Sequence, residues 1–197
     1  MNKNPIAQFS EWLEEAKRNT SIIEPTAMSL ATATKDAVPS VRMVLLKGLD
    51  ERGFVFYTNL NSRKSIEIKQ NPQAGGCFYW MPLERQVRIE GRIEAVSDKE
   101  ADIYFATRAR DSQIGAWVSR QSETLPERNV MLQEISERMA DFENVPVPRP
   151  PFWSGWRLIP DKIEFWQQGD FRLHEREVFI RNQDVKSNDW ETVFLYP

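Results

Sequence analysis

Residues 26–58 read TAMSLATATKDAVPSVRMVLLKGLDERGFVFYT. Apolar runs at 28–34, 41–47 and 54–58 are separated by the polar connectors 35–37 and 50–53, which carry turn-forming residues. Strands so closely spaced favour an antiparallel sheet or barrel over repeated βαβ units. This stretch therefore predicts a mainly antiparallel β architecture.

The pattern continues along the chain. Further strands are predicted at 75–80, 86–96, 157–159, 162–166, 171–180 and 190–196. Helices are predicted within 1–20, where Asn4 is the cap and Pro5 the first helical residue, and at 63–70 and 101–108. The fold class is thus α+β, mainly antiparallel β with flanking helices.

Another helix is predicted after Pro126, with apolar positions Leu132, Ile135, Met139 and Phe142 assigned to core packing. The proline-rich stretch 145–151 is predicted to be an extended connector. Since strands resume after it, we expect residues 1–197 to form a single domain with the N-terminal helix packed on it.

Composition excludes several classes of protein. The net charge is -3, which argues against a nonspecific nucleic-acid binder. One cysteine and one histidine argue against disulfides and a zinc site, so no metal is expected. The N-terminus has no apolar run suited to a signal peptide or membrane span, which predicts a cytoplasmic protein.

Common nucleotide and hydrolase motifs are missing. The sequence has no G-x-G-x-x-G turn, and residues 48–53 space two glycines as a P-loop does but lack the following Lys-Ser/Thr. A serine hydrolase would have to use His174, and no G-x-S-x-G motif accompanies it.

The only histidine lies in the segment R-L-H-E-R, residues 172–176. A strand would place Arg172, His174 and Arg176 on one face, because side chains alternate with a period of two. The segment leaves two interpretations open. Either an anion lies among the three groups, or they form a solvated strand face.

Two further segments are rich in hydrogen-bond donors. In N-L-N-S-R-K, residues 59–64, cations lie at a helix start, where each is unfavourable by roughly 0.3–1 kcal/mol unless an anion compensates. This predicts a phosphate site. Residues 108–122 combine donors with Ile114, Trp117 and Val118, so we expect this segment to fold inward and line a pocket.

Six motifs in order carry a resemblance to a known family. They are R-x-V-L-L-K (42–47), F-Y-T-N-L-x-S-R-K (56–64), L-E-R-Q-V (83–87), R-D-S-Q-I-G-A-W-V-S-x-Q-S (110–122), I-E-F-W-Q (163–167) and R-L-H (172–174). From about residue 24 onward the chain resembles the pyridoxine/pyridoxamine 5′-phosphate oxidases. The resemblance implies an FMN-binding split β-barrel that works as a homodimer, with the flavin at the subunit interface.

The resemblance also implies site residues. Those expected to bind FMN are Arg42, Met43, Val44, Leu45, Leu46, Lys47, Tyr57, Thr58, Arg63, Lys64, Gln86, Gln121, Ser122, Trp166 and Arg176. Those expected to bind the substrate are Lys47, Tyr104, Arg108, Ser112, Arg172, Leu173 and His174. Arg172 and His174 are expected to act at the reacting carbon, with His174 neutral and able to accept a proton.

The family reaction oxidises C4′ of pyridoxine or pyridoxamine 5′-phosphate to the aldehyde, with O2 as electron acceptor and H2O2 as product. Two alternatives remain: a flavin oxidase of another ring, of the phenazine-pathway type, and a non-catalytic FMN or pyridoxal phosphate binding protein. The second is motivated by the missing N-terminal arm. Glu24, Glu175 and Phe194 also depart from the family pattern.

Overall fold

A computed structural model describes residues 4–182 and 189–197. In this part of the chain, nine strands join into one antiparallel sheet. The strands are β1 Ala27–Ala33, β2 Pro39–Leu45, β3 Gly48–Asp50, β4 Gly53–Asn59, β5 Gln73–Trp80, β6 Arg85–Ala95, β7 Trp153–Gln167, β8 Glu175–Arg181 and β9 Trp190–Phe194. The helices are α1 Pro5–Arg18, α2 Arg63–Gln70, α3 Asp98–Ala106, α4 Arg110–Val118 and α5 Arg128–Asp141. The predicted fold class is confirmed.

Strand β7 runs through the middle of the sheet. The strand order is β2-β1-β5-β6-β7-β4-β3, and β8 pairs with both β7 and β9. Residues 153–158 of β7 pair with β4, whereas residues 162–167 pair with β8. At about 3.3 Å per residue, Trp153 and Trp166 are separated by about 40 Å along the strand.

Helix α1 covers the core with one apolar stripe. Asn4 caps it by accepting from the backbone N–H groups of residues 6 and 7, and Pro5 is its first residue, as predicted. The ring of Phe9 lies 4.9 Å from the rings of Phe54 and Phe78, and its side chain is fully buried. The N-terminal helix is therefore packed against the sheet.

Two predicted strand boundaries were wrong. The segments 157–159 and 162–166 belong to one continuous strand, β7. Residues 171–174 do not belong to β8, because Phe171 and Arg172 have φ angles of 52° and 65°, in the left-handed region. Arg172 and His174 therefore precede the strand that contains Arg176.

The helices differ from prediction in two respects. Residues 110–118, expected to line a pocket, form a helix, α4, that the sequence reading did not predict. In α5, Leu132 and Met139 are 53% and 55% exposed, so their assignment to the core was wrong. Helix α5 packs mainly on α4, and none of its residues is fully buried.

No helix among the described residues is both long and apolar enough to span a bilayer. Within residues 4–182 and 189–197, there is also no group of three or more His, Cys, Asp or Glu side chains placed to hold a metal ion.

Glu67 connects α2 to the first two strands. Its carboxylate, only 3% exposed, accepts hydrogen bonds from Ser40 (2.6 Å), Thr32 (2.5 Å) and Arg63 (2.8 Å). Burial alone would raise the pKa of Glu67, but these hydrogen bonds and the charge of Arg42 lower it to about 2. The ionised carboxylate therefore stabilises this part of the fold.

We expect Glu67→Gln to lower the free energy of unfolding by about 2–3 kcal/mol at pH 7. The folded-state pKa is below the usual 4.5, so the stabilisation is complete above pH 4.5 and is lost as the pH falls towards 2. Urea unfolding at pH 7, 5 and 3.5 would show the difference shrinking with acidity. The control is Glu14→Gln, an exposed residue paired with Lys17. A pH-independent difference would contradict the assignment.

Candidate active site

A cavity of about 440 Å³ lies between the end of β2, β4, α4 and the start of β7. Its walls combine cationic, aromatic and small polar side chains. The lining residues are Met43, Val44, Leu45, Lys47, Tyr57, Thr58, Asn59, Lys64, Tyr104, Arg108, Ser112, Gly115, Ala116, Ser119, Gln121 and Trp153. The segment expected to line a pocket, 108–122, forms one wall. We call this space the basic cavity.

Lys64 is a buried cation in the basic cavity. Its Nζ donates to Gln121 Oε1 at 2.8 Å, Thr58 Oγ1 at 3.0 Å and Ser62 Oγ at 3.2 Å, all of them neutral acceptors. Burial, and secondarily the charge of Arg42, lower the pKa of Lys64 to about 8. No carboxylate pairs with it in the described part of the chain. The surroundings of this ammonium group are suited to an anionic ligand.

Arg108 is a second cation without a counter-charge. Its guanidinium lies 4.7 Å from the centroid of the Trp153 ring and 5.6 Å from that of Phe105. Nη1 is buried and has no hydrogen-bond partner among the described residues. Burial also lowers the pKa of Arg108. An unpaired buried donor costs about 1–3 kcal/mol, so a ligand acceptor here would be favoured.

Parallel aromatic rings form one wall of the same cavity. Tyr57 stacks on Tyr104 at 4.0 Å with an interplanar angle of 12°, and lies nearly parallel to Trp153 at 5.4 Å. Gly155, opposite Tyr57 in the β4–β7 register, makes room for the ring, because a Cβ there would approach it to 2.7 Å. Such a wall suits a planar ring.

A second group of predicted residues lies at the other end of β7. Gln86, Trp166 and Arg176 are cross-strand neighbours on β6, β7 and β8. The ring of His174 is 4.7 Å from that of Trp166. His174 and Arg176 line a groove of about 450 Å³ beside α1. We call these residues, with the turn that carries Arg172 and Leu173, the distal group.

The predicted row of three cations was wrong. Only Arg176 is in the strand, and its Nε and Nη2 donate to the two oxygens of Glu164 at 2.8 and 3.0 Å. Glu164 is 2% exposed and also pairs with Arg88. Nη1 of Arg176 donates to the carbonyl of Tyr196 at 3.0 Å. Its charge is therefore compensated within the chain.

Other predicted cofactor residues lie outside the basic cavity. Leu46 is in the hydrophobic core, and Arg42 donates to Leu30 O at 3.0 Å and to the carboxylate of Glu67 at 3.3 Å. Arg63 and Ser122 line an adjoining pocket, where the Arg63 backbone N–H donates to Ser122 Oγ at 3.1 Å.

Within one chain, the predicted site residues therefore form two groups, one near each end of β7. The basic cavity includes Trp153, at the start of β7, and the distal group includes Trp166, near its end. The sequence did not point to Trp153 as a site residue, whereas Asn59 belongs to the segment 59–64 that was predicted to bind phosphate. Trp153 lies between the proline-rich connector 145–151 and the predicted strand 157–159, which is why no motif singled it out.

Comparison with known families follows this division of the chain. Residues 13–139 match the family described as pyridoxamine 5′-phosphate oxidase. Residues 153–197 match the family described as the pyridoxine 5′-phosphate oxidase C-terminal dimerisation region. The distal group, except Gln86, falls in the second region.

Relatives of the chain match over its whole length. The Zymomonas mobilis protein named pyridoxine/pyridoxamine 5′-phosphate oxidase is 52% identical over 197 residues, covering 100% of both chains. The protein of the same name from Rubrobacter xylanophilus is 53% identical over 194 residues, covering 98% of this chain and 87% of its own.

Solved structures confirm the expected split-barrel fold. PhzG from Burkholderia lata, crystallised with tetrahydrophenazine-1-carboxylic acid, has a TM-score of 0.91 and 34% identity, covering 98% of this chain and 93% of its own. A pyridoxamine 5′-phosphate oxidase-related, FMN binding protein from Nostoc punctiforme has a TM-score of 0.78 at 18% identity, covering 100% of both chains. From the matching regions and the full-length relatives, the chain belongs to the pyridoxine/pyridoxamine 5′-phosphate oxidase family.

Proposed function

We propose that the protein catalyses the FMN-dependent oxidation of pyridoxine or pyridoxamine 5′-phosphate to pyridoxal 5′-phosphate, with O2 as acceptor and H2O2 as product. One observation carries the proposal. Two cations, the buried Lys64 and the half-buried Arg108, line a single cavity without a carboxylate partner in the described chain. Two phosphorylated ligands, a cofactor and a substrate, would satisfy both.

The residues around Lys64 fit the phosphate of FMN. The ammonium group of Lys64, with Thr58 and Gln121 beside it, lies close to the start of α2, where free backbone N–H groups favour an anion. Arg63 and Ser122 adjoin it in the neighbouring pocket. Bound FMN would supply the redox chemistry, taking the hydride from the substrate and passing the electrons to O2.

A different set of groups in the basic cavity fits the substrate phosphate. Arg108 offers an unpaired donor, and Lys47, Tyr104 and Ser112 line the same space. These groups would fix the ester and leave its ring along the aromatic wall. Their task is positioning, because holding the reacting carbon against the cofactor ring contributes much of the rate.

A second copy of the chain would complete the site. The outer face of β1, β2 and β5 exposes Val41 (69%), Met43 (59%) and Tyr79 (58%). Exposed apolar patches mark interfaces, and Met43 also lines the basic cavity. In a homodimer, the distal group of one chain would meet the basic cavity of the other, giving two identical sites per dimer.

An alternative substrate is a ring carboxylate of the phenazine type. The relative from Burkholderia lata was crystallised with tetrahydrophenazine-1-carboxylic acid and shares 34% identity with this chain. A carboxylate would also satisfy Arg108. The phosphate ester is favoured by the several donors that surround Arg108 and by the named relatives at 52% and 53% identity.

The reaction is tested directly with the purified protein. We expect a yellow protein that bleaches on anaerobic addition of pyridoxine or pyridoxamine 5′-phosphate and forms pyridoxal 5′-phosphate and peroxide in air. Bound flavin that stays oxidised with both esters would contradict the proposal. Bleaching by a dihydrophenazine carboxylate alone would support the alternative.

Substitution of Arg108 separates substrate binding from cofactor binding. Hydrogen bonds to charged groups contribute about 1.5–3 kcal/mol, so Arg108→Ala is expected to raise KM for the phosphate ester about 10–150-fold. FMN content should stay unchanged. Arg128→Ala, at an exposed position of α5, is the matched control. Equal loss of FMN and of substrate affinity in Arg108→Ala would contradict this division.

The affinity for FMN should depend on the charge of Lys64. With a pKa of about 8 in the unliganded protein, Lys64 loses its proton as the pH rises through 8, and its attraction for phosphate is lost. We expect Kd for FMN, measured by fluorescence quenching, to rise about tenfold per pH unit above 8. Lys64→Gln should bind weakly and without this dependence. An identical pH profile in both proteins would refute the assignment.

A further inference from the structure

We propose that the fold selects one tautomer of the uncharged His174 ring, with the proton on Nε2, so that the ring offers a fixed hydrogen-bond donor to a ligand. Gly169 is the positioning residue. Its backbone N–H donates to Nδ1 of His174 at 3.3 Å. A backbone N–H can only donate, so Nδ1 must offer its lone pair, and the one proton of a neutral imidazole is then on Nε2.

The turn between β7 and β8 brings these two groups together. The Leu173 backbone N–H donates to the carbonyl of Asp170 at 2.9 Å. Phe171 and Arg172 adopt left-handed φ angles of 52° and 65°, which L residues rarely do. The turn therefore folds back so that residue 174 returns to residue 169.

Glycine is required at position 169 by close approach. A Cβ there would lie 2.2 Å from the carbonyl oxygen of Leu173, a backbone atom that no side-chain rotation can move away. Any side chain would open the turn and withdraw the N–H group from Nδ1. Trp166 also packs against the His174 ring, with centroids 4.7 Å apart and planes inclined at 46°.

The tautomer defines what His174 can do in the proposed reaction, and this part of the inference rests on the proposed function. The ring's one lone pair in the plane is engaged by Gly169. The expectation that neutral His174 accepts a proton from the substrate is therefore replaced by a donor role. Nε2–H would orient an oxygen or nitrogen on the substrate, while Arg172 in the same turn brings a positive charge.

The sequence makes the tautomer directly measurable, because it contains a single histidine. In the full-length protein labelled with ¹⁵N-histidine, long-range ¹H–¹⁵N correlation spectra give one pair of ring nitrogens. On the high-pH plateau, we expect the Nε2 shift to be that of a protonated nitrogen and the Nδ1 shift that of an unprotonated one. A proton on Nδ1, or two averaged shifts, would overturn the proposal.

Gly169→Ala tests the origin of the tautomer. We expect its spectrum to move to an average of both tautomers, while circular dichroism and the melting curve show a folded protein. An unchanged pair of shifts would mean that Gly169 does not select the tautomer and would refute its role. Spectra of the unsubstituted protein, recorded without substrate, decide the tautomer even if the catalytic proposal fails.

Two substitutions of His174 distinguish a role as hydrogen-bond donor from a role as general base. Glutamine can donate through its amide but cannot take up a proton, so His174→Gln should keep kcat/KM within about tenfold of the native value. His174→Ala, which can do neither, should fall further. Equal losses in both variants would contradict the donor role. The cofactor content of each variant, read from its absorbance, controls for loss of FMN.

Discussion

The length of one strand governs how the candidate site is built. Strand β7 pairs with β4 at its start and with β8 at its end, so it holds the basic cavity and the distal group about 40 Å apart along its course. A hydrogen-bonded strand cannot shorten to bring them together. This separation supports the proposal that the site draws on two chains, for which the outer apolar face of β1, β2 and β5 offers a surface.

Charge compensation distinguishes structural cations from candidate ligand-binding ones. Arg42 and Arg63 share the buried carboxylate of Glu67, and Arg176 shares that of Glu164 with Arg88. Lys64 is buried among neutral groups instead, and the half-buried Arg108 lies against aromatic rings. The chain contains more acidic than basic residues, yet no carboxylate pairs with Lys64 or Arg108 in the described residues. This lack of pairing indicates an anion-binding site more clearly than the number of cations around the basic cavity does.

Local sequence patterns predicted most of the fold. The strands at 28–34, 54–58 and 86–96 follow from alternation and turn residues, and the cap at Asn4 follows from side-chain chemistry, so their positions were nearly correct. The segment at 171–174 also alternates, yet its turn depends on the close approach of Gly169 to Leu173, which no local pattern shows. Family motifs named the candidate site residues, but the pairing of Arg42 with Glu67 joins residues far apart in sequence and no local motif shows it.

The two uncompensated cations also affect the stability of the unliganded protein. Removing these cations from water destabilises the folded chain until anions bind to them. Binding of a ligand in the basic cavity and the free energy of unfolding are therefore thermodynamically linked. Whatever fills the basic cavity would act as a folding ligand as well as a reactant. In a cell, the supply of that ligand would then set how long the chain survives proteolysis.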